Sequence, residues 1–160
     1  MGKGLTVVLL SLLCLLPVQA AGLQLDGTTI DFRVPSGWQT LHTGKREQML
    51  RSADQRLEVM IWILEPERSE GMMDKLLARL KGQLTEVQSN PRPAAPVRFK
   101  DYEARFLTGT GRLDGELIHW EYALLDMEKT VIVLRLAGQG VSKQAESDFN
   151  ALLQSLKAKK

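Results

Sequence analysis

The segment from Tyr102 to Ala137 constrains the fold of this chain more than any other. Apolar and polar residues alternate from Leu117 to Leu125, which is typical of a strand with one buried face. The dipeptide Asp114-Gly115 stands between two extended runs, and it is a strong signal for a tight hairpin turn because Gly tolerates a positive φ. The segment therefore predicts successive antiparallel strands.

The third run of this segment has a different pattern. Residues 130–137, TVIVLRLA, follow a polar turn at 126–129 and are apolar on both faces except for Arg135. Such a run is typical of a central strand that is covered on both sides. A sheet with such a strand needs covering layers, so we expect an α+β fold: an antiparallel β-sheet covered by helices.

Two amphipathic segments can supply that cover. The first is expected to begin with Ser69 as its N-cap and to continue as far as Leu84, with Gly82 weakening its last turn, and the second runs from Ser142 to about Leu156. Apolar residues recur at helical spacing in both, which favours core-facing stripes: Met73, Leu76, Leu77, Leu80 and Leu84 in the first, and Phe149, Leu152, Leu153 and Leu156 in the second.

Four further strands are expected before the first helix. They are 23–25, 30–34, 48–51 and 57–64, and the second of them is ended by Pro35-Ser36-Gly37-Trp38. The polar stretch Gln39 to Glu47 is interpreted as a loop. The proline-rich stretch 89–96 is interpreted as a crossover between the first helix and the three-strand segment, because its prolines exclude a helix interior.

The first twenty residues have the pattern of a secretory signal peptide. Lys3 supplies a basic start, Leu5 to Leu16 form an apolar core, and Val18-Gln19-Ala20 offers small residues for a signal peptidase. The apolar run is shorter than the roughly 20 residues that a membrane span needs. We expect cleavage after Ala20, a single domain over 21–160 with no stable membrane span, and a periplasmic or secreted destination.

The expected cleavage also removes the one cysteine. Cys14 lies in the apolar core of the leader, so the remaining chain offers no thiol for a disulfide, a nucleophile or a zinc-thiolate site. Of 21 basic and 19 acidic residues only Lys3 is lost, which leaves 20 against 19 and a formal charge of +1. The charges are interspersed, and lysines 157, 159 and 160 are expected at a solvated helix end. No nucleic-acid partner is expected.

The order of these elements resembles that of the PsbP-like fold group. The resemblance rests on a leader, an alternating strand that ends in Pro-x-Gly-Trp (Ile30 to Trp38), a buried strand, a helix, an antiparallel meander and a C-terminal helix that closes on FNALLQSL, 149–156. The group includes the PsbP extrinsic subunits of photosystem II and the DcrB family of envelope proteins. The resemblance implies an α/β/α sandwich and a non-enzymatic accessory or binding role, with no catalytic residues to carry over.

An enzymatic alternative rests on His119 and Glu121. These residues are two apart on one strand and point to the same side, so they could hold a metal or form a general base with a supporting carboxylate. His42 could complete a three-ligand site only if the fold brought it close. The alternative function is a small exported hydrolase or metal-dependent enzyme. The run Gly109-Thr110-Gly111 precedes a hairpin, not a helix, so it is not a phosphate-binding motif, and no cofactor is expected.

The favoured prediction is an exported, non-enzymatic accessory or binding protein. Its partner is expected to be another envelope or secreted protein or a small ligand, with the oligomeric state left open. Loops on rigid sheets commonly carry recognition, so the stretch Gln39 to Glu47 and the hairpin tip Gly109 to Gly115 are candidate contact surfaces. The candidate binding residues are Trp38, Arg112, His119 and Glu121.

Overall fold

The computed structural model describes residues 19–66, 71–90 and 95–159, which form two antiparallel sheets and two helices. The strands are β1 (Gln19–Leu25), β2 (Thr28–Val34), β3 (Gln39–Thr43), β4 (Glu47–Arg51), β5 (Leu57–Leu64), β6 (Thr85–Ser89), β7 (Val97–Arg98), β8 (Glu103–Leu113), β9 (Glu116–Asp126), β10 (Thr130–Ala137) and β11 (Lys157–Lys159). The helices are α1 (Met72–Lys81) and α2 (Lys143–Ser155).

The predicted meander is confirmed as the centre of the larger sheet. This sheet has the strand order β3-β4-β5-β10-β9-β8-β6, with β7 paired to β8. Asp114 and Gly115 at the β8–β9 turn have φ values of 51° and 85°, the positive values that a two-residue hairpin turn requires. The strand β10 lies between β5 and β9, and its alternate residues are buried in the cores on the two faces of the sheet, which explains why its sequence is apolar on both faces.

One face of the large sheet is covered by α2 together with the smaller sheet, whose order is β1-β2-β11. The shared core contains alternate residues of β2, β5 and β10 packed with the apolar stripe of α2. Its members include Ile30, Phe32, Leu57, Val59, Ile61, Val131, Val133, Phe149, Leu152 and Leu153. The predicted antiparallel sheet covered by helices is therefore confirmed, with a small sheet sharing the cover on this face.

The opposite face is covered by α1. Met72, Leu76 and Leu80 pack there against Trp62, Trp120, Tyr122, Leu124, Ile132 and Leu134. The hydroxyl of Tyr122 donates to the carbonyl of Leu76 at 3.2 Å, which ties the helix to the sheet. Burial raises the pKa of Tyr122 to about 12, against a smaller opposing effect of Arg79, so the phenol keeps its proton at neutral pH.

The boundaries of α1 differ from the expectation. Leu84 was expected on the helical stripe, but the helix ends at Lys81 with Gly82 as its C-cap, and Leu84 packs into the same core from the following turn. The N-cap is Gly71, with φ 68°. Ser69 lies outside the described residues, as does the side chain of Met73.

Two expectations about irregular or helical segments were wrong. Part of the stretch Gln39 to Glu47 is the edge strand β3, whose five residues are all exposed and therefore show no apolar alternation. Residues 156–159 are not the helix end that was expected, because Leu156 is extended and β11 pairs with β2. In this pairing, Lys159 of β11 forms an ion pair with Asp31 of β2. The strand β6, which is largely exposed, was also not foreseen.

Several expectations concern residues that the structure does not describe. They are the leader up to residue 18 and residues 91–94 of the proline-rich crossover. The first described residues, Gln19 and Ala20, already belong to β1, and Ala20 pairs with Arg33. Within the described ranges, the two helices are too short and too polar to cross a bilayer.

Candidate functional site

A depression of about 500 Å³ opens on the face of the large sheet that carries His119 and Glu121. We call it the polar depression. Its lining residues come from β6, β8, β9 and β10 and the residue after β6: Gln88, Ser89, Asn90, Thr108, Gly109, Thr110, His119, Trp120, Glu121 and Arg135.

The register of the strands places four of these side chains side by side. Thr110 is the cross-strand partner of His119, and Thr108 is the partner of Glu121. Glu121 is also the partner of Arg135 on β10. Because cross-strand partners point to the same face of a sheet, these side chains form one contiguous surface. Further along β9, the same face carries Ala123 and Leu125, which are buried in the core beneath the covering layer.

The rim of the depression comes from β6, which has an irregular register. Its pairing with β8 shifts between Thr85 and Gln88, and Glu86 in the shifted segment has φ 50°. After the shift, Gln88 pairs with Thr110 and Ser89 with Gly109. Bulges are frequent beside functional sites because they re-aim side chains, and here the shift sets which residues of β6 line the rim.

The close approach of β6 to β8 depends on a glycine. A Cβ atom on Gly109 would lie 2.0 Å from the carbonyl oxygen of Gln88 and 2.3 Å from Cζ2 of Trp120. No side chain fits at these distances. The indole of Trp120 occupies this space and donates from Nε1 to the carbonyl of Thr110 at 2.9 Å. Gly109 therefore permits both the rim and the aromatic packing beneath it.

The charged part of the depression is an ion pair between Arg135 and Glu146, with Glu121 beside it. Nη2 of Arg135 donates to Oε1 of Glu146 on α2, and its guanidinium carbon lies 5.4 Å from the ring centroid of Phe149. The side chain of Arg135 is 15% exposed. Its Nε is buried and has no hydrogen-bond partner among the described residues. Arg135 thus joins the floor of the depression to α2.

Glu121 lies beside this pair and is partly buried. Burial raises the pKa of its carboxyl group, the charge of Arg135 lowers it, and the charge of Glu146 raises it again. The net direction is upward, so Glu121 holds its proton at a higher pH than an ordinary glutamate does.

Most polar side chains of the depression are not engaged by the protein itself. Among the described residues, no hydrogen-bond partner is present for the side chains of Gln88, Ser89, Thr108, Thr110, His119 and Glu121. These side chains are exposed or half-buried, so they are accessible to a ligand that enters the recess and forms hydrogen bonds with them.

The four candidate binding residues do not come together. His119 and Glu121 share the polar depression, but Trp38 and Arg112 do not line it. Trp38 is only 8% exposed, and its Nε1 donates to Oδ2 of Asp148 on α2 at 3.2 Å. It lies in the core, as a structural residue would.

Arg112 lies at the exposed end of β8. Its Nε donates to Oε2 of Glu86 at 3.0 Å, and its Nη1 donates to the carbonyl of Gly115 at 2.8 Å. These contacts brace the hairpin tip against the shifted segment of β6. A contact role for this tip stays a prediction.

His42 is not brought to the depression. It lies on β3, where its Nε2 is 3.3 Å from Oε1 of Glu47. Four strand spacings separate β3 from β9 in the sheet, a distance of roughly 19 Å at about 4.8 Å per strand. Across the described parts of the chain, no three His, Cys, Asp or Glu side chains are grouped as a metal site.

Sequence reasoning missed the contributions of Arg135 and β6 to this site. Arg135 did carry a signal, because it is the one charged residue in an apolar central strand. Gln88 and Ser89 carried none, since β6 is polar and follows the helix without a hydrophobic pattern.

No protein-family model matches the chain, and no curated protein matches it. Solved structures do resemble it. LpqN of Mycobacterium tuberculosis, described as involved in cell envelope biogenesis, superposes with a TM-score of 0.59 at 12% identity, over 89% of this chain and 92% of LpqN.

Two further solved structures are similar. A protein from Bacteroides thetaiotaomicron has a TM-score of 0.54 at 14% identity, over 82% of this chain and 45% of that protein. Cyanobacterial PsbP (CyanoP) from Synechocystis has a TM-score of 0.50 at 14% identity, over 81% of this chain and 86% of CyanoP. The α+β arrangement of this chain is therefore the PsbP-like fold.

Proposed function

We propose that this protein is an exported, non-enzymatic accessory protein that acts by binding in the polar depression. The observation that carries the proposal is the set of unengaged polar side chains around the partly buried Glu121. A rigid sheet holds these groups in place, so a ligand meets them preorganised.

The expected location of the protein rests on its leader and its fold. The pattern of residues 1–20 indicates export, with cleavage after Ala20 and a single domain over 21–160. LpqN, which shares the fold, is described as involved in cell envelope biogenesis. A periplasmic or secreted accessory protein fits both observations, and fold alone does not specify a function.

Binding has more support than catalysis. The alternative of a hydrolase or metal-dependent enzyme needs a third group to act with His119 and Glu121. The histidine considered for that role, His42, is on the far edge strand and faces Glu47. The raised pKa of Glu121 would suit a general acid, but burial and the nearby charge of Glu146 explain it without a reaction.

Site-specific photo-crosslinking in cells that express the full chain tests the proposal. A photo-reactive residue replaces Ser89 on the rim, and a matched variant carries it at Thr43 on β3, which is also exposed. We expect a discrete adduct from position 89, absent from position 43, in the envelope fraction or the culture fluid. Sequencing of the exported protein should begin at Ala21.

Two results would contradict the proposal. The first is an intact leader on protein that stays in the cytoplasm. The second is identical crosslinking from positions 89 and 43, which would mean that the depression has no special affinity.

A further inference from the structure

We propose that the polar depression binds an uncharged, hydroxyl-rich ligand, such as one or two sugar units. This inference rests on the proposed function and specifies the ligand class of the same site. It follows from the charge balance and from the hydrogen-bonding capacity of the lining residues.

The charge balance disfavours a charged ligand. Arg135 is the one cation lining the depression among the described residues, and it is already paired with Glu146 and lies against Phe149. An anion would meet the carboxylates of Glu121 and Glu146 close to that cation. A ligand cation would instead meet Arg135 beside Glu121. The two carboxylates outnumber the one guanidinium, so an anion gains no net attraction, and the guanidinium of Arg135 weakens the attraction of the carboxylates for a ligand cation.

The remaining groups match hydroxyls. The side-chain amide of Gln88 and the hydroxyls of Thr108 and Thr110 can each donate and accept a hydrogen bond, and the imidazole of His119 adds a further N–H donor. A hydroxyl group has the same dual capacity, so each such pair can form in either direction. The carboxyl group of Glu121 accepts two or more hydrogen bonds when ionised and also donates when protonated.

The size of the recess agrees with a small ligand. Its volume of about 500 Å³ lies within the range of about 300–1,000 Å³ that is usual for small-molecule sites. The methyl groups of Thr108 and Thr110 offer apolar contact to the carbon–hydrogen faces of a sugar ring. The ring of Trp120 faces the α1 side of the sheet, so the depression has no stacking platform from that residue.

The test is an NMR titration of the protein as purified from cells that express the full chain. The probes are glucose, maltose and N-acetylglucosamine as neutral sugars, with inorganic phosphate, spermidine and glycine betaine as an anion, a cation and a zwitterion. The side-chain amides of Gln88 and Asn90 and the backbone amides of Thr108 and Thr110 report on the site.

We expect at least one neutral sugar to shift these resonances saturably, with a dissociation constant below about 10 mM. The double variant T108V/T110V keeps the branched side chains of the strand but removes two hydroxyls, and it should weaken that binding by at least about tenfold. The control T40V/T43V makes the same change on β3 and should leave the affinity unchanged.

The inference is overturned if phosphate, spermidine or betaine binds more tightly than every neutral sugar. It is equally overturned if no sugar binds, or if T108V/T110V binds sugar as the wild type does. A specific crosslink from Ser89 to a protein, together with any of these results, would keep the proposed function and reject the sugar ligand.

Discussion

The indole ring of Trp120 fills the space where the side chain of residue 109 would be if that residue were not glycine. Cζ2 of Trp120 lies 2.3 Å from the position of a Cβ on Gly109, and the carbonyl oxygen of Gln88 lies 2.0 Å from it. One glycine therefore couples the packing under α1 to the rim of the polar depression on the other side of the sheet.

Replacing Gly109 with Ala should separate β6 from β8 or displace Trp120. Overpacking of this kind costs about 1–3 kcal/mol. We expect G109A to lose about that much free energy of unfolding in urea and to alter the side-chain amide signal of Gln88. G138A is the control, because its Cβ would meet only the carbonyl oxygen of Arg56, at 3.6 Å. Equal stability of the two variants would contradict the packing described.

Titration of Glu121 should respond in opposite directions to its two charged neighbours. Burial raises its pKa first, Arg135 lowers it and Glu146 raises it. R135M should therefore raise the pKa of Glu121 further, and E146Q should lower it. Carboxyl-carbon NMR across the pH range measures both changes. A downward shift in R135M would show that Arg135 does not act on this carboxyl group.

Replacing Glu121 with Gln should change the pH dependence of stability. A group whose folded pKa is raised contributes stability below its unfolded pKa and loses that contribution as the pH rises through the folded pKa. E121Q does not ionise, so its free energy of unfolding should increase relative to wild type between acid and neutral pH. Urea titrations at several pH values measure this, with E116Q, at the exposed start of β9, as the control. If the difference in free energy of unfolding between E121Q and wild type does not vary with pH, the expectation is contradicted.

Asp54 should stabilise the fold in its ionised form. A hydrogen bond from Ser52 Oγ at 2.5 Å, with N–H donors of Ser142 at 2.9 Å and Arg56 at 3.0 Å, holds the pKa of Asp54 well below its usual range, against the opposing effect of burial. Such stability is present above the unfolded pKa and is lost as the pH falls through the folded pKa.

The variant D54N should therefore be less stable near neutral pH, by about 1–2 kcal/mol. The difference in free energy of unfolding between wild type and D54N should become smaller in acid, where the wild-type carboxyl group is also protonated. Thermal or urea unfolding at pH 7 and in acid tests this. Ser142 is the N-cap of α2, so the start of that helix should be where amide exchange increases. If the difference in free energy of unfolding stays the same in acid, the charge of Asp54 does not stabilise the fold.

Trp38 should prove structural. W38F removes the donor to Asp148 and part of a buried ring, which should cost about 1–3 kcal/mol. Crosslinking from Ser89 should be unchanged in the same variant. If W38F instead folds as stably as wild type and loses the crosslink, Trp38 is a contact residue as the sequence first indicated.

Short-range patterns in the sequence were sufficient for the elements that build the core. The alternation in β9, the Asp-Gly turn and the helical stripe of α2 each depend on neighbouring residues, so they can be recognised locally. The common side of His119 and Glu121 followed from the same two-residue period.

The polar edge strands and the site depended on tertiary structure. The strands β3, β6 and β11 are mostly exposed and are held by backbone pairing, for which side-chain periodicity gives no signal. The surroundings of Glu121 come from β6, β8, β10 and α2, which are distant in the chain and adjacent only after the sheet closes. The sequence by itself determined which residues could form strands and helices, because periodicity is local. Only the tertiary structure decided which polar groups meet in the depression, because cross-strand neighbours are set by the order of the strands.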